Sequence, residues 1–497
     1  MPQNTVDTEQ HSSLLDSVWN ALFKYSSEDP WFFTEFSFLL VFGVFLLLYA
    51  FLAKHSVWKK TYLIAFSLFF YWKSSGPFLG LFALMIISDY YFAGVISKTE
   101  GRKKKVYLLL SLLYSCSFLL YFKYTNFFIE NCNAFFHTAF SPQNLFLPIG
   151  ISFYTFQSIS YVVDVYKKEI PPVKHFLDYT FYMTFFPHLV AGPIVRAKDF
   201  IPQIDSPLLI NRSIYQESMF RICIGLVKKL FIADYLAKYV DIVHMTPEGF
   251  SGGEHLLAMY AYSFQIYFDF SGYSDMAIGL ALLLGYRLKE NFDNPYGAEN
   301  ITVFWRKWHI SLSLWLRDYI YIPLGGNRKG VFNMYLFLLI TMLVGGFWHG
   351  ADWRFVFWGA AHGTALILHK LWLQRYPESK NTWIKVLGVL VTFHFVGFCW
   401  IFFRASSFDN AFVSLQSIFT QTALTDFYGF WLARPEVVAL LAASSIIVFT
   451  PTAFKQAVYK KTMNIPYWAW ILVVLVVIQV IIQFKDNVVQ PFIYFQF

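Results

Sequence analysis

Charge is scarce in this chain of 497 residues. Asp, Glu, Lys and Arg make up 14% of it, where a soluble domain carries about 25%. So little charge leaves too few ionic side chains for a water-facing surface and argues against an ordinary soluble enzyme. Cysteine is equally sparse. There are four, Cys116, Cys132, Cys223 and Cys399, with no CxxC pair and three of them in apolar segments, which argues against a disulfide framework or a zinc site. No metal ligand set is assigned. There is no sustained repeat, no low-complexity tract and no Gly-x-Ser-x-Gly elbow, so an esterase-type serine nucleophile is not expected within this chain. The first thirty residues are polar and acidic and lack the basic and apolar regions of a cleaved signal peptide. Insertion is expected to be directed by the first apolar run, near Phe36 to Ala53.

What the chain has is apolar length. Hydrophobic residues make up 57%, aromatic residues 21%, and Phe alone counts 58. This predicts an all-α, polytopic membrane protein, with rings serving interfacial belts and irregular helix packing. Apolar runs occur around 36–53, 61–75, 77–97, 106–129, 145–166, 177–195, 215–242, 254–285, 331–349, 353–373, 384–403, 436–454 and 466–485. Several are short or broken by Gly, Pro or charge, so about eleven true spans plus re-entrant pieces are expected. The division is a polar acidic segment over 1–35, one membrane domain over 36–485, and a tail over 486–497.

The formal net charge of +8 is concentrated in short loops and reads as topology, not nucleic-acid binding. Placing Lys54, Lys59 and Lys60, then Arg102 to Lys105, Lys167 and Lys168, Arg328 and Lys329, and Lys455 to Lys461 in the cytoplasm gives an alternating path over the first third. Both termini then fall outside, while 177–330 resists threading. The segment Phe304 to Tyr321 is too polar to face lipid and is expected to line a cavity or an interface.

Two histidines stand in or beside apolar segments: His349 in Gly345-Gly346-Phe347-Trp348-His349-Gly350, and His309 in Trp305-Arg306-Lys307-Trp308-His309-Ile310-Ser311. An ionisable group at membrane depth is costly and marks a functional site by default. An imidazole titrates near working pH, so it can take a proton from an attacking hydroxyl and return one to a leaving group. The flanking Trp305, Trp308 and Trp348 would exclude water. A buried structural histidine bonded to a carbonyl is the competing reading for each. A second constellation is Tyr267-Phe268-Asp269-Phe270-Ser271-Gly272-Tyr273-Ser274-Asp275. Its two carboxylates either serve a hydrated site, with Ser271, Tyr273 and Arg306 as further substrate-facing candidates, or pair with Arg287, Arg306 or Arg317 and hold the fold. His188, His362, His369 and His394 read as packing or interfacial. His11, His55, His137, His175, His244 and His255 read as loop or edge residues.

Together with Leu147-Pro148-Ile149-Gly150-Ile151-Ser152-Phe153-Tyr154, Phe186-Pro187-His188-Leu189 and Ala191-Gly192-Pro193, these blocks resemble the membrane-bound O-acyltransferases. The similarity is greatest to the bacterial branch that holds the alginate O-acetyltransferase membrane subunit and the teichoic acid D-alanyl-transfer membrane protein. It runs from about Phe36 to His362, with five blocks in the family's order. The resemblance implies helices around a thin centre, with a funnel from outside meeting a tunnel from the cytoplasm. It implies that His349 matches the essential histidine and His309 its polar partner. It also implies a bacterial cytoplasmic membrane, no tightly bound cofactor, and a thioester donor, either acetyl-CoA or an acylated carrier protein. The implied partners are an extracytoplasmic serine-esterase-like acyltransferase and a polysaccharide acceptor.

The tail ends Pro491-Phe492-Ile493-Tyr494-Phe495-Gln496-Phe497. An aromatic interfacial anchor is one reading. The other comes from resemblance to the carboxy-terminal tyrosine motif of the small acyl-carrying protein of the D-alanyl system, which implies an acyl-tyrosine at Tyr494. The chemistry is sound, because a phenol with a pKa of about 10 leaves almost as readily as a thiol, and its ester keeps much of a thioester's transfer potential. Twelve extended residues reach at most roughly 40 Å. Two other functions use the same features: a transporter built on broken helices, and a scaffold for polysaccharide-modifying machinery.

Overall fold

The computed structural model describes residues 19–20, 22–26, 30–52, 56–207, 209–484 and 492–493. Helices dominate, and no strand occurs among the described residues. By length and composition, four helical stretches can cross a membrane: Val57–Lys98, Gly101–Phe136, Val331–His349 and Thr382–Arg404. Leu424–Ala433 and Pro435–Phe449, bent by 107° at Arg434, make a fifth if they act as one span. The first stretch is broken by a tight turn at Gly76–Phe78 into Ser56–Ser75 and Leu79–Lys98, each about 30 Å long at 1.5 Å per residue. Phe36–Phe51 and Ala469–Phe484 are apolar but shorter.

The expected run 254–285 is one helix, Gly252–Leu283, and it forms the axis of the molecule. Ser251 accepts the Glu254 N–H and Glu254 accepts the Ser251 N–H, a capping box that fixes its start. Nearly every side chain from Ala258 to Leu282 is buried, so this helix is apolar all round because it is surrounded by protein. Arg212–Leu226 crosses it at Gly225 and Gly272. A methyl on Gly225 would stand 2.6 Å from the Gly272 carbonyl oxygen, and one on Gly272 would stand 2.8 Å from that of Gly225. Such approaches favour small residues where no hydrophobic effect drives helices together. Val331–His349 and Trp353–Arg375 form a hairpin with the same device. A methyl on Gly346 would strike the Phe355 carbonyl, and one on Gly359 the Met342 carbonyl.

The 177–195 stretch is two short buried helices, Phe176–Thr184 and Phe186–Leu189, not a span. The polar segment after the central helix is likewise broken, into Ile301–Lys307 and Ile310–Leu316. His309, with φ 41°, makes the corner between them. Three π-helical turns, Leu120–Tyr124, Val227–Ala233 and Arg317–Tyr321, widen otherwise regular helices, and such bulges often mark functional positions. Here each carries a basic residue: Lys123, Lys228 with Lys229, and Arg317.

Candidate active site

His349 ends the Val331–His349 helix, where the last carbonyls lack intrahelical donors. Lys123 supplies them: its Nζ donates to the Trp348 and His349 carbonyl oxygens, each at 2.8 Å. A cation at a helix C-terminus also suits the dipole. The His349 ring is boxed by Trp348, Trp358 and Phe403, with centroids 5.0, 5.1 and 5.3 Å away. It is 4% exposed, yet it lines a cavity of about 420 Å³ together with Trp348, Lys123, Phe32 and the 144–153 segment.

His309 is fully buried. Its Nδ1 lies 3.2 Å from Oδ1 of Asn291. That oxygen also accepts the Ser311 N–H at 3.2 Å and the Ser311 hydroxyl at 2.8 Å, while the Asn291 carbonyl accepts the Ile310 N–H at 2.9 Å. The Ser311 hydroxyl in turn accepts the Ile194 N–H at 3.0 Å, and Asn291 Nδ2 reaches the Ser274 hydroxyl at 3.4 Å. Three of the sequence blocks thus meet around one imidazole. The two histidine rings share Trp348, which lies 6.2 Å from His309 and 5.0 Å from His349.

A second cavity of about 430 Å³ lies against the broken segment. It is lined by Trp305, Arg306, Arg317, Thr341, Met342 and Lys370, among others. Thr341 and Met342 sit about two turns before His349 on the same helix. The Phe304–Tyr321 segment thus lines a cavity, as its polarity predicted.

The remaining candidates divide. Trp348 and Arg306 face cavities. Trp308 is packed on Tyr267, Phe292 and Trp400, while Trp305, which also borders the second cavity, donates to Nδ1 of buried His362 at 3.3 Å. Ser271 is buried on the central helix. Both carboxylates are paired, but not with Arg287, Arg306 or Arg317. Asp275 takes Arg221 and Lys228, each at 2.6 Å, and Asp269 takes Lys229 at 2.7 Å, which also reaches Asp234 at 2.7 Å. Both lysines lie on the π turn at Val227–Ala233, which packs against the central helix. His255 is also corrected: it is buried within the central helix and bonds the Pro247 carbonyl at 2.9 Å. Among the described residues, no group of three His, Cys, Asp or Glu is placed to hold a metal.

Tyr494 lies outside the described residues. The two residues before it are inside the protein: Phe492 is 2% exposed and Ile493 1%. Phe492 packs on Phe270 and Tyr273, and the Ile493 N–H donates to Oδ2 of Asp269 at 2.8 Å. That part of the tail is not a lipid-facing anchor.

Asn291 and Lys123 were missed in sequence. Asn291 sits in a polar stretch, Glu290-Asn291-Phe292-Asp293-Asn294-Pro295, that looks like any loop. Lys123 did carry a signal, a lone cation within an apolar run.

The architecture is that of a multi-pass helical membrane protein, with His349 bordering a cavity and the buried His309 sharing Trp348 with it. Residues 68–408 match the model of the membrane-bound O-acyltransferase family, and the chain belongs to that family, as an O-acyltransferase. It is 38% identical to the peptidoglycan O-acetyltransferase of Helicobacter pylori over 77% of this chain and 80% of that protein. It is 41% identical to the probable alginate O-acetylase AlgI of Azotobacter vinelandii, over 74% and 75%. With the teichoic acid D-alanyltransferase of Bacillus subtilis it shares 30% identity over 54% and 71%.

Proposed function

We propose that this enzyme moves an acetyl group from a cytoplasmic thioester to the outer face of a bacterial cytoplasmic membrane, for O-acetylation of an extracellular polysaccharide or cell-wall polymer. The acetyl assignment is supported by the two relatives whose names specify O-acetyl transfer, at 38% and 41% identity. The observation that carries the mechanism is that His349 lines one cavity while a second opens about two turns back along the same helix. The second cavity, lined by Arg306, Arg317 and Lys370, is the donor side and a tunnel from the cytoplasm. The first, bordered by Phe32 and the 144–153 segment, is the outer funnel. Both termini lie outside.

His349 is the general base and His309 its partner. The imidazole takes the phenolic proton of Tyr494 as the phenolate oxygen attacks the thioester carbonyl. The C–S bond breaks, the C–O bond of an aryl ester forms, and the thiolate leaves with the proton that the imidazole returns. Acetyl-CoA and an acylated carrier protein both present such a thioester on a phosphate-bearing arm. The aryl ester then acylates a serine of an extracytoplasmic esterase-like partner, which passes the group to the polymer.

Membranes incubated with labelled acetyl donor test this. The chain should acquire an ester at Tyr494, visible by mass spectrometry of the C-terminal peptide, and His349→Ala and Tyr494→Phe should both lack it. Polymer modification that survives His349→Ala favours a transporter or scaffold. If it survives Tyr494→Phe alone, the tyrosine step is wrong.

A further inference from the structure

Asp269 has a job that its ion pair does not explain. Lys229 stands between two carboxylates, the buried Asp269 and the partly exposed Asp234, at 2.7 Å from each. One oxygen of Asp269 faces that lysine. The other, Oδ2, accepts the backbone N–H of Ile493 at 2.8 Å, across 224 positions of sequence. A carboxylate has acceptor capacity on both oxygens, so it can hold a lysine and a peptide N–H at once. On the same helix, Phe270 immediately after Asp269 and Tyr273 about one turn on receive the Phe492 ring at 5.6 and 4.9 Å. Phe33 stacks on the far side of Tyr273 at 4.8 Å.

We propose that this is a peptide-binding seat: Asp269, held by Lys229, is a positioning residue that docks the C-terminal end of the chain and presents the following residue to the histidines. The seat takes a segment with an aromatic side chain followed by a backbone N–H that reaches the carboxylate. Its location fits the task. Phe270, under Phe492, meets the His309 ring edge-on at 4.6 Å. Phe32 lines both the small space around Phe492 and the cavity that holds His349. The inference rests on the proposed transfer through Tyr494, which gives the seat its purpose.

Ile493→Pro in the full chain removes the N–H donor and also replaces the buried isoleucine side chain, so Ile493→Ala, which keeps the N–H, is its control. Both changes lie in the tail, so the membrane domain keeps every contact of its own. Two readouts apply: acetyl on the C-terminal peptide, and resistance of the tail to carboxypeptidase. The wild-type tail should resist trimming. Ile493→Pro and Phe492→Ala should be trimmed about tenfold faster or more, as expected for losing a hydrogen bond to a charged acceptor or a buried ring, and their acetyl label should fall toward that of Tyr494→Phe. An Ile493→Pro tail as resistant as wild type overturns the seat. Faster trimming with undiminished label overturns its positioning role. Normal polymer modification by Tyr494→Phe would instead sink the acyl-tyrosine step, while trimming still decides whether the seat exists.

Discussion

Nδ1 of His309 lies 3.2 Å from Oδ1 of Asn291, and the orientation of that amide is not free. The Ser311 backbone N–H can only donate, so the atom it meets at 3.2 Å must be the amide oxygen. The oxygen can only accept, so Nδ1 of a neutral His309 carries the proton and Nε2 keeps the lone pair. Asn291 thereby sets the tautomer of a ring that shares Trp348 with His349.

Asn291→Leu should therefore slow transfer about ten- to a hundredfold, the equivalent of ~1–3 kcal/mol for buried partners left unsatisfied. Asn291→Asp, which keeps an acceptor for both Nδ1 and the Ser311 N–H, should be milder. Initial rates with labelled donor at matched protein levels compare them. Equal losses in the two variants would remove the tautomer argument.

The glycine crossing of the central helix gives a stability prediction. Gly272→Ala drives a methyl toward the Gly225 carbonyl at 2.8 Å, and overpacking of this kind costs about 1–3 kcal/mol. Gly94→Ala is the control, since no atom lies within 4 Å of a methyl built there and alanine suits a helix better than glycine. Thermal unfolding in detergent should show the first variant lowered and the second unchanged or raised.

Asp275 separates a structural carboxylate from a substrate-facing one. It neutralises Arg221 and Lys228 at 2.6 Å each, and Arg221 also pairs with Glu290. Asp275→Asn leaves two cations with one remaining carboxylate. Breaking a buried pair from one side costs about 3–5 kcal/mol. The expected result is a lower unfolding temperature, with KM unchanged in the folded fraction. A raised KM at unchanged stability would return Asp275 to the substrate.

The helical class, the two histidine blocks and the cavity-lining nature of Phe304–Tyr321 were legible because each breaks an otherwise apolar pattern with charge. Two kinds of feature were not. Lys228 and Lys229, which pair with Asp275 and Asp269, lie on a π turn, which has no periodic signature in sequence. Asn291 acts through backbone geometry, bonding Ile310, Ser311 and His309 at a left-handed corner, and nothing in a polar loop distinguishes it. The run 177–195 misled because burial in protein and burial in lipid demand the same apolar composition.

The second cavity carries the last prediction, which concerns the donor. Its lining combines apolar Leu314, Leu316, Leu338 and Met342 with three cations, Arg306, Arg317 and Lys370. Apolar walls suit the thioester arm, and cations suit the phosphates that both proposed donors carry. Arg317→Gln and Lys370→Gln should each raise KM for acetyl-CoA about five- to tenfold, the worth of one charge-assisted contact of ~1–1.4 kcal/mol, with kcat nearly unchanged because neither touches the reacting atoms. S-acetylpantetheine has the same thioester without phosphates, so its KM should be high in wild type and insensitive to either substitution. Steady-state kinetics with the two donors separates the cases: sensitivity to the substitutions with S-acetylpantetheine as well would mean that the cations shape the cavity, and insensitivity with both donors would mean that the donor enters elsewhere.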